Sequence, residues 1–371
     1  MSTPSIVESI PIGQESRLSF GFLLPTRVAT ANEDSGLEPL LALGARAEEL
    51  GFDSVWVADS PLVYGLPDPL MVLAALAART RRVALATGML LGALREPVLL
   101  AHSLATLDQL ARGRLVIGLG AGFAAPESRR QFSAVGVPFE SRTARLVETI
   151  AAMRSLWSAP GLPTSYTGRH IAFEEVALSP SPHTAGGPPI WLAGAGEAAE
   201  RRVGRLADGW LPYSPTVAAW ARGWERVRAG STEVGRSIPP TPGLYVTVAL
   251  DPSIGTAHER LRETIERWYG YPFEVVSALQ ATYAGTPEGL ADWLAPYLRA
   301  GVRQVVLRVA DGDPLRGLET VGMTLPSLSA ADPSRRSVGP SASHSSWERS
   351  RESPGNAPGR PWARSRRVDE R

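Results

Sequence analysis

The sequence of 371 residues lacks cysteine and lysine altogether. Without cysteine the chain cannot form disulfides, use a thiolate nucleophile, or hold an iron–sulfur cluster or a zinc–thiolate site. Without lysine it cannot form a Schiff base with a carbonyl substrate or supply the lysine of a nucleotide-binding P-loop. All 38 basic residues are therefore arginine.

Histidine is scarce, and long apolar runs are missing. The five histidines show neither metal-ligand spacing nor pairing with a nucleophile, which argues against a metal site and a metal-dependent hydrolase. The longest apolar stretch, 83–94, has twelve residues, fewer than the roughly 18 of a membrane span. The first 17 residues lack the basic and apolar segments of a secretion signal. We therefore expect a cytoplasmic protein that does not span a membrane.

The segment 82–123 contains a complete strand, helix, strand and glycine turn. Residues 83–87 and 114–119 are short apolar runs, and each leads into glycine, as expected of strands buried on both faces. Between them, from Pro97 to Ala111, apolar residues recur at helical spacing. This pattern predicts two parallel strands that are joined by a covering helix and end on the same side of a sheet.

The same pattern recurs along the chain and predicts a (β/α)₈ barrel, an α/β fold of eight parallel strands. A proline-interrupted insertion, 160–189, follows the fourth helix, 142–157, and its middle alternates like a small hairpin. The segment 124–136 is predicted to be irregular. The eight predicted strands are 17–24, 54–58, 83–87, 114–119, 189–193, 209–212, 244–250 and 304–309.

The two ends of the chain differ from the predicted barrel domain, 17–328. Residues 1–16 are expected to be a flexible segment. Residues 329–371 are rich in serine, proline and arginine and carry nine arginines against five acidic residues. Such a composition cannot bury a core, so we expect a disordered, solvated tail. Basic runs attract phosphate, but a passive tail is the simpler interpretation, and no nucleic-acid partner is predicted.

In a barrel the loops that follow the strands meet at one face, where binding sites lie. The residues predicted there are rich in glycine and poor in acid–base groups, which suits a flat ring with a phosphate better than it suits hydrolysis. They are Thr26, Arg27, Asp59, Gly88, Met89, Gly120, Ala121, Gly122, Phe123, Gly194, Ala195, Gly196, Tyr213 and Arg308.

Three candidate features also have a plainer interpretation. The Gly194–Gly196 segment lies between a strand and a helix N-terminus and is either a phosphate-binding turn or a simple tight turn. Asp59 ends the second strand, where it is either catalytic or a turn cap. Arg142 begins the fourth helix and either reaches a phosphate or lies on the surface. The glycines of 118–122 do not fit a dinucleotide fingerprint, which argues against a Rossmann dehydrogenase.

Three segments together resemble the bacterial luciferase-like superfamily of flavin-dependent monooxygenases and deazaflavin-dependent oxidoreductases. They are GFDSVWVADS (51–60), the segment 82–123, and PPIWLAGAGEAAERRVGRLADGWLPYSP (188–215). The likeness extends over 18–328, with the segments in the same order and at matching spacing. It implies a (β/α)₈ barrel that holds a flavin at the carboxyl ends of its strands.

The resemblance also implies roles for individual residues. Gly88 and Met89 would form a bulge against the isoalloxazine ring, often through a cis peptide, and 120–123 would line the ring. Arg142 and the turn 194–196 would lie near the phosphate. Many relatives carry a histidine near the end of the second strand, where this chain has Asp59, Ser60 and Pro61. Asp59, Tyr64 or a water would then be the acid–base group.

We therefore predict a flavin-dependent oxidoreductase, first of all a monooxygenase that uses O₂ and reduced FMN from a separate flavin reductase. The alternative within the family is hydride transfer by the deazaflavin coenzyme F420. A further alternative, which the missing histidine leaves open, is a flavin-binding protein without catalysis. The expected partners are a small organic substrate and, as in many relatives, a second copy of the chain.

Overall fold

Strands and helices alternate along most of the chain in the computed structural model, which describes residues 17–29, 36–62 and 65–332. The predictions for 1–16, for Tyr64 and for most of the tail, 333–371, lie outside these ranges. The strands are β1 (Ser19–Leu23), β2 (Ser54–Val57), β3 (Ala84–Thr87), β4 (Leu115–Leu119), β5 (Pro163–Thr167), β6 (Ala172–Ala177), β7 (Ile190–Leu192), β8 (Gly209–Trp210), β9 (Thr241–Leu250), β10 (Ala281–Gly285) and β11 (Gln304–Val309).

Helices connect most of these strands. They are α1 (Thr26–Ala29), α2 (Glu38–Glu49), α3 (Pro69–Arg79), α4 (Pro97–Ala111), α5 (Pro126–Ala134), α6 (Arg142–Ser158), α7 (Glu197–Leu206), α8 (Val217–Glu233), α9 (Ile254–Tyr269), α10 (Phe273–Ser277), α11 (Pro287–Ala300) and α12 (Pro314–Ala330). The last helix therefore extends two residues beyond the predicted domain boundary at 328.

Eight parallel strands close into a barrel in the order β1, β2, β3, β4, β7, β8, β9 and β11, and β11 pairs again with β1. These are the eight strands predicted from the sequence, so the predicted (β/α)₈ barrel is confirmed. Closure leaves the carboxyl ends of all eight strands at one face.

One strand of the sheet was not predicted. β10 pairs in parallel with the second half of β9, from Val246 to Leu250. β9 is ten residues long, whereas its neighbour β8 has two, and the two strands pair only near Thr241 and Pro242. β10 therefore binds the part of β9 that β8 leaves without a partner. The sequence of β10, ATYAG, gives no apolar run that would have predicted it.

The side chains of β11 show how the barrel separates two apolar regions. Val305, Leu307 and Val309 belong to the main core between the strands and the helices. Val306 belongs to a smaller cluster inside the barrel. Because successive side chains of a strand point to opposite faces, Arg308 lies on the same inward face as Val306.

Two indole rings fill the barrel interior. The ring centroids of Trp56 and Trp191 are 5.5 Å apart, with an angle of 68° between the ring planes. A Cβ on Gly21 would lie 2.5 Å from Nε1 of Trp56, and one on Gly209 would overlap the Trp191 ring. Glycine at these two positions therefore makes room for the large side chains that pack the barrel.

The prediction that 124–136 is irregular is wrong, because α5 occupies most of this segment. Its buried residues are Ser128, Gln131 and Phe132. Only one of them is a large apolar residue, so the helix lacks the apolar stripe by which helices are recognised in a sequence.

The insertion contains the predicted hairpin, with β5 and β6 antiparallel. The Glu148 carboxylate of α6 accepts hydrogen bonds of 2.7–3.1 Å from the backbone amides of 169–171, at the tip of the hairpin. Asp108 of α4 accepts another, of 2.7 Å, from the Thr184 amide. Hydrogen bonds to α6 and α4 therefore hold the insertion against these two helices.

Membrane-spanning helices and metal-binding clusters are both absent from the described part of the chain. In residues 17–29, 36–62 and 65–332, no helix combines the length and apolar character needed to cross a membrane. The same ranges contain no cluster of three or more histidine or acidic side chains that could hold a metal ion.

Candidate active site

Three glycine-bearing turns lie side by side at the carboxyl face of the barrel. Gly88, Gly120 and Gly194 follow the neighbouring strands β3, β4 and β7. Backbone hydrogen bonds continue between these strand ends, from the Leu90 amide to the Gly118 carbonyl at 2.7 Å and from the Ala193 amide to the Leu119 carbonyl at 3.2 Å. The turns that the sequence predicted to converge therefore lie on one end of the barrel.

The turn after β3 forms a bulge that packs against β4. The Gly88–Met89 peptide is cis, as the family resemblance implies. A Cβ on Gly118 would collide with the Thr87 carbonyl and lie 2.6 Å from Sδ of Met89. A Cβ on Gly120 would lie 3.3 Å from Cβ of Met89. Gly118 in β4 and Gly120 directly after it therefore let Met89 pack against the neighbouring backbone.

The turn after β4 carries an exposed aromatic ring at the barrel mouth. Gly122 has a φ of +81°, a conformation that favours glycine. Phe123 follows it and is 63% exposed. Its ring stacks on Tyr213, which follows β8, with 5.6 Å between the ring centroids and an interplanar angle of 30°. The predicted flavin-lining segment thus presents a flat apolar surface beside the glycine turns.

Asp59 binds the loop after β3, which contains the Gly88–Met89 bulge. Its Oδ2 accepts hydrogen bonds from the Leu91 amide at 2.9 Å and from Nη1 of Arg95 at 2.7 Å. The side chain is 1% exposed. Its Oδ1 is buried and accepts no hydrogen bond from any described residue. Burial raises the pKa of Asp59, although the charge and hydrogen bond of Arg95 lower it in part.

Ser60 belongs to the segment 59–61, where the family resemblance leads one to expect a histidine near the end of the second strand, and its contacts are structural. The Ser60 hydroxyl donates to Oε1 of Gln131 at 3.3 Å, and the Leu62 amide reaches the same oxygen at 3.4 Å. These bonds join the loop after β2 to α5. Asp59, Ser60 and Pro61 supply no imidazole at the end of the second strand. The other acid–base candidate, Tyr64, lies outside the described ranges.

Arg142, the predicted phosphate ligand, is in contact with Phe139. Nη1 donates to the Phe139 carbonyl at 3.1 Å, and the guanidinium carbon lies 3.9 Å from the centroid of the Phe139 ring. Its Nε is buried and donates to none of the residues that the structure describes. The structure thus does not bring Arg142 into a hydrogen bond with the turn at Gly194–Gly196.

The Gly194–Gly196 turn caps α7, but the protein itself supplies an anion there. The Gly196 amide donates to Oε1 of Glu200 at 3.1 Å. Glu200 is buried, and its Oε2 accepts from Nη1 of Arg226 at 2.9 Å. Glu197 adds a second acidic residue to the first turn of α7. A phosphate role for this turn remains a prediction, and the Gly196 amide already has a carboxylate acceptor.

Five residues across the barrel mouth, Tyr213, Tyr245, Trp268, Tyr269 and Arg308, form what we call the basic aromatic cluster. Nη1 of Arg308 donates to the hydroxyls of Tyr269 at 2.9 Å and Tyr245 at 3.4 Å. Its guanidinium carbon lies 3.7 Å from the centroid of the Trp268 ring. Tyr213 and Tyr245 meet edge to face, with centroids 4.9 Å apart. Arg308 is thus held by aromatic side chains.

Three members of this cluster have shifted pKa values. Burial raises the pKa of Tyr213 and of Tyr245 well above the usual phenol value. Burial by itself lowers the pKa of Arg308, but the interactions with the phenols outweigh it and raise that pKa. At neutral pH the phenols of Tyr213 and Tyr245 are therefore neutral and the Arg308 guanidinium is charged.

Only part of this cluster was predicted from the sequence, which placed Tyr213 and Arg308 at the carboxyl face. Tyr245 was missed, although the alternation of β9 gives a signal for it. Its neighbours Leu244 and Val246 belong to the outer core, so Tyr245 must face inward. Trp268 and Tyr269 end α9, a helix that was not predicted.

The fold and this site define a class, the (β/α)₈ barrel enzymes with a binding site at the carboxyl ends of the strands. The sequence pattern of the family described as luciferase-like monooxygenase matches residues 18–304. The chain belongs to this family. The predicted resemblance is confirmed, and with it the prediction of a luciferase-like flavin- or deazaflavin-dependent oxidoreductase at the level of the family.

Two F420-dependent dehydrogenases are similar to this chain in sequence. An F420-dependent glucose-6-phosphate dehydrogenase from Nocardia farcinica is 28% identical over 320 residues, which cover 77% of this chain and 92% of that protein. One from Microbacterium testaceum is 34% identical over 190 residues, 50% of this chain and 55% of that protein.

Two solved structures share the fold. A monooxygenase from Streptomyces bottropensis has a TM-score of 0.71 at 24% identity, covering 84% of this chain and 99% of that one. An F420-dependent secondary alcohol dehydrogenase in complex with an F420–acetone adduct has the same TM-score and coverage at 20% identity. At these identities the likeness concerns the fold alone.

Proposed function

We propose that this protein is a deazaflavin-dependent oxidoreductase that transfers hydride between coenzyme F420 and a small organic substrate. The observation that carries this proposal is the likeness to F420-dependent glucose-6-phosphate dehydrogenases along 92% of the length of one of them. This choice reverses the order of the two cofactors predicted from the sequence, because the FMN-dependent reaction has support only at the level of the family.

The residues at the carboxyl face fit a flat heteroaromatic ring. The Gly88–Met89 bulge, backed by Gly120, and the exposed ring of Phe123 offer apolar contact surfaces. The orphaned Oδ1 of Asp59 is an acceptor whose hydrogen bonding a ring N–H would complete. We propose that these residues hold the cofactor. When bound, the deazaflavin supplies the hydride acceptor and donor.

The chain's own residues would orient the reactants and limit access of water. Apolar side chains at the mouth, Met89 and Phe123 among them, exclude water from a bound ring. The proton that leaves or joins the substrate needs an acceptor or donor other than imidazole, since the loop after β2 carries none. We assign this role to Asp59 or Tyr64, as predicted from the sequence, with a water as the remaining alternative.

Anaerobic turnover tests this function. The purified chain is incubated with oxidised F420 and a panel of alcohols and sugar phosphates, and the visible absorbance of the deazaflavin is followed. We expect at least one substrate to bleach the cofactor in the absence of oxygen. A panel that gives no bleaching, together with substrate-dependent oxygen uptake in the presence of reduced FMN, would contradict the proposal.

The second candidate is the reduced-FMN monooxygenase, which the description of the family favours. O₂ and a separate flavin reductase are partners of this candidate only. Binding of either cofactor without turnover of any substrate would instead favour the non-catalytic flavin-binding protein. The predicted homodimer is independent of this choice and remains a prediction.

A further inference from the structure

We propose that Arg308, within the basic aromatic cluster, binds an oxyanion of the substrate, a carboxylate or a phosphate, at the barrel wall opposite the Gly120 turn that backs the Gly88–Met89 bulge. This inference rests on the proposed function and adds a substrate class to it. An oxidoreductase of this kind would therefore act on an acidic or phosphorylated molecule that carries its oxidisable carbon toward the bulge.

The first argument is charge. Arg308 forms no ion pair with a carboxylate in the part of the chain that the structure describes, and its hydrogen bonds go to phenols. Tyr213 and Tyr245 remain neutral at neutral pH, so they do not neutralise it. Arg308 is half-buried, and charged groups that lose part of their contact with water are normally paired. A bound oxyanion would give this guanidinium the counter-charge that the described residues do not supply.

The second argument is the geometry of the guanidinium. Both hydrogen bonds to the phenols come from Nη1. Nε and Nη2 donate to none of the described residues, although both carry N–H groups. The Trp268 ring, 3.7 Å from the guanidinium carbon, supports the flat group and fixes its plane. A planar fork with free donors matches the paired oxygens of a carboxylate or a phosphate.

The third argument is position. In the closed order of eight strands, β11 and β4 are four strands apart in either direction, so Arg308 and Gly120 lie on opposite walls. Contacting rings lead from one wall toward the other: Phe123 stacks on Tyr213 at 5.6 Å, and Tyr213 meets Tyr245 edge to face at 4.9 Å. A cofactor ring against the glycine turns would leave Arg308 facing the substrate.

The test measures binding of two simple probes, inorganic phosphate and benzoate, to the full chain by calorimetry at constant ionic strength. We compare the unsubstituted chain with Arg308→Gln and with Arg308→Lys, which keeps the charge and loses the fork. Arg299→Gln is the matched control, because Arg299 is exposed in the last turn of α11 and precedes β11 at the other end of the barrel. The probe that binds more tightly identifies the oxyanion.

We expect Arg308→Gln to weaken binding of the preferred probe about 10- to 100-fold, as loss of a charged hydrogen bond does. Arg308→Lys should weaken it less, and Arg299→Gln should leave it unchanged. Equal binding by the unsubstituted chain and Arg308→Gln would overturn the proposal. If Arg308→Gln fails to fold, Tyr269→Phe, which removes one hydroxyl beside the guanidinium, should still alter probe affinity at least threefold, and no change would overturn the proposal.

A cofactor titration separates this inference from the proposed function. F420 affinity of Arg308→Gln should stay within about twofold of the unsubstituted chain, because the substitution lies on the opposite wall. A loss of F420 affinity as large as the loss of probe affinity would assign Arg308 to the cofactor and overturn the oxyanion site. If the unsubstituted chain binds no F420 yet binds the probes through Arg308, the proposed function fails while the oxyanion site stands.

Discussion

Gly118 lies so close to Met89 that a single added carbon, Cβ, would stand 2.6 Å from the methionine sulfur. The same carbon would collide with the Thr87 carbonyl. Two neighbouring strands thus approach each other through a glycine where the bulge after β3 leaves the barrel. The shape of the proposed cofactor surface therefore depends on the absence of a side chain in β4.

Gly118→Ala should accordingly lower both stability and cofactor affinity. We expect the free energy of unfolding, from urea denaturation, to fall by at least about 1–3 kcal/mol, the usual cost of overpacking. Gly255→Ala is the control, because the nearest atom to its added Cβ is the Ser253 hydroxyl at 3.9 Å and the residue lies in α9. An unchanged unfolding free energy for Gly118→Ala would show that the strands are not this close.

Asp59 should give the protein a characteristic pH dependence. Because its pKa is raised in the folded state, folded Asp59 binds more protons than unfolded Asp59. This contribution to stability is complete below the unfolded pKa, about 3.9, and is lost as the pH rises through the raised folded value. The unfolding free energy of Asp59→Asn, relative to the unsubstituted chain, should therefore increase from about pH 4 upward. A relative decrease over this range would show that the folded state favours the charged carboxylate.

Glu200 should matter for the stability of α7 and not for the cofactor. Glu200→Ala removes the acceptor of the Gly196 amide and the partner of Arg226, at an expected cost of about 1–2 kcal/mol in unfolding free energy. Glu197→Ala, an exposed substitution in the same turn, should change it by less than about 0.5 kcal/mol. A large loss of F420 affinity in Glu200→Ala would instead tie this carboxylate to cofactor binding.

Glu148 should control the mobility of the insertion hairpin. Glu148→Ala removes the acceptor shared by three backbone amides at the hairpin tip, 169–171. We expect limited proteolysis within 160–189 to become several-fold faster, since local opening exposes cleavage sites. Glu174→Ala, an exposed substitution on β6, is the control and should be cleaved at the rate of the unsubstituted chain. Equal rates for both variants would mean that the hairpin is held by other contacts.

The barrel could be predicted from the sequence because its strands are mostly short apolar runs, of which β3, β4 and β7 lead into glycine. β3 and β4 show this most clearly, and their turns also carried the site prediction. α5 and β10 could not be predicted in the same way, since neither has an apolar run, and each forms through contacts with distant parts of the chain.

The contacts between side chains were harder to predict than the positions of the residues in the fold. Arg308 was placed correctly at the carboxyl face, but its partners Tyr245 and Trp268 come from β9 and α9, and only the fold brings them together. The pairing of Gly196 with Glu200 is local, and a glutamate four residues after the glycine is a signal that the sequence did contain. Arg142 shows the reverse case, a plausible ligand whose guanidinium stacks on a neighbouring ring.

The central claim is that the glycine turns at the carboxyl face hold a deazaflavin. Fluorescence titration of the unsubstituted chain with F420 and with FMN tests it most directly, alongside Gly120→Val, whose side chain would crowd Met89, and the control Gly255→Ala. The account predicts F420 binding at least tenfold tighter than FMN binding, lost in Gly120→Val and kept in the control. Preferential binding of FMN, or F420 binding that Gly120→Val leaves unchanged, would contradict it.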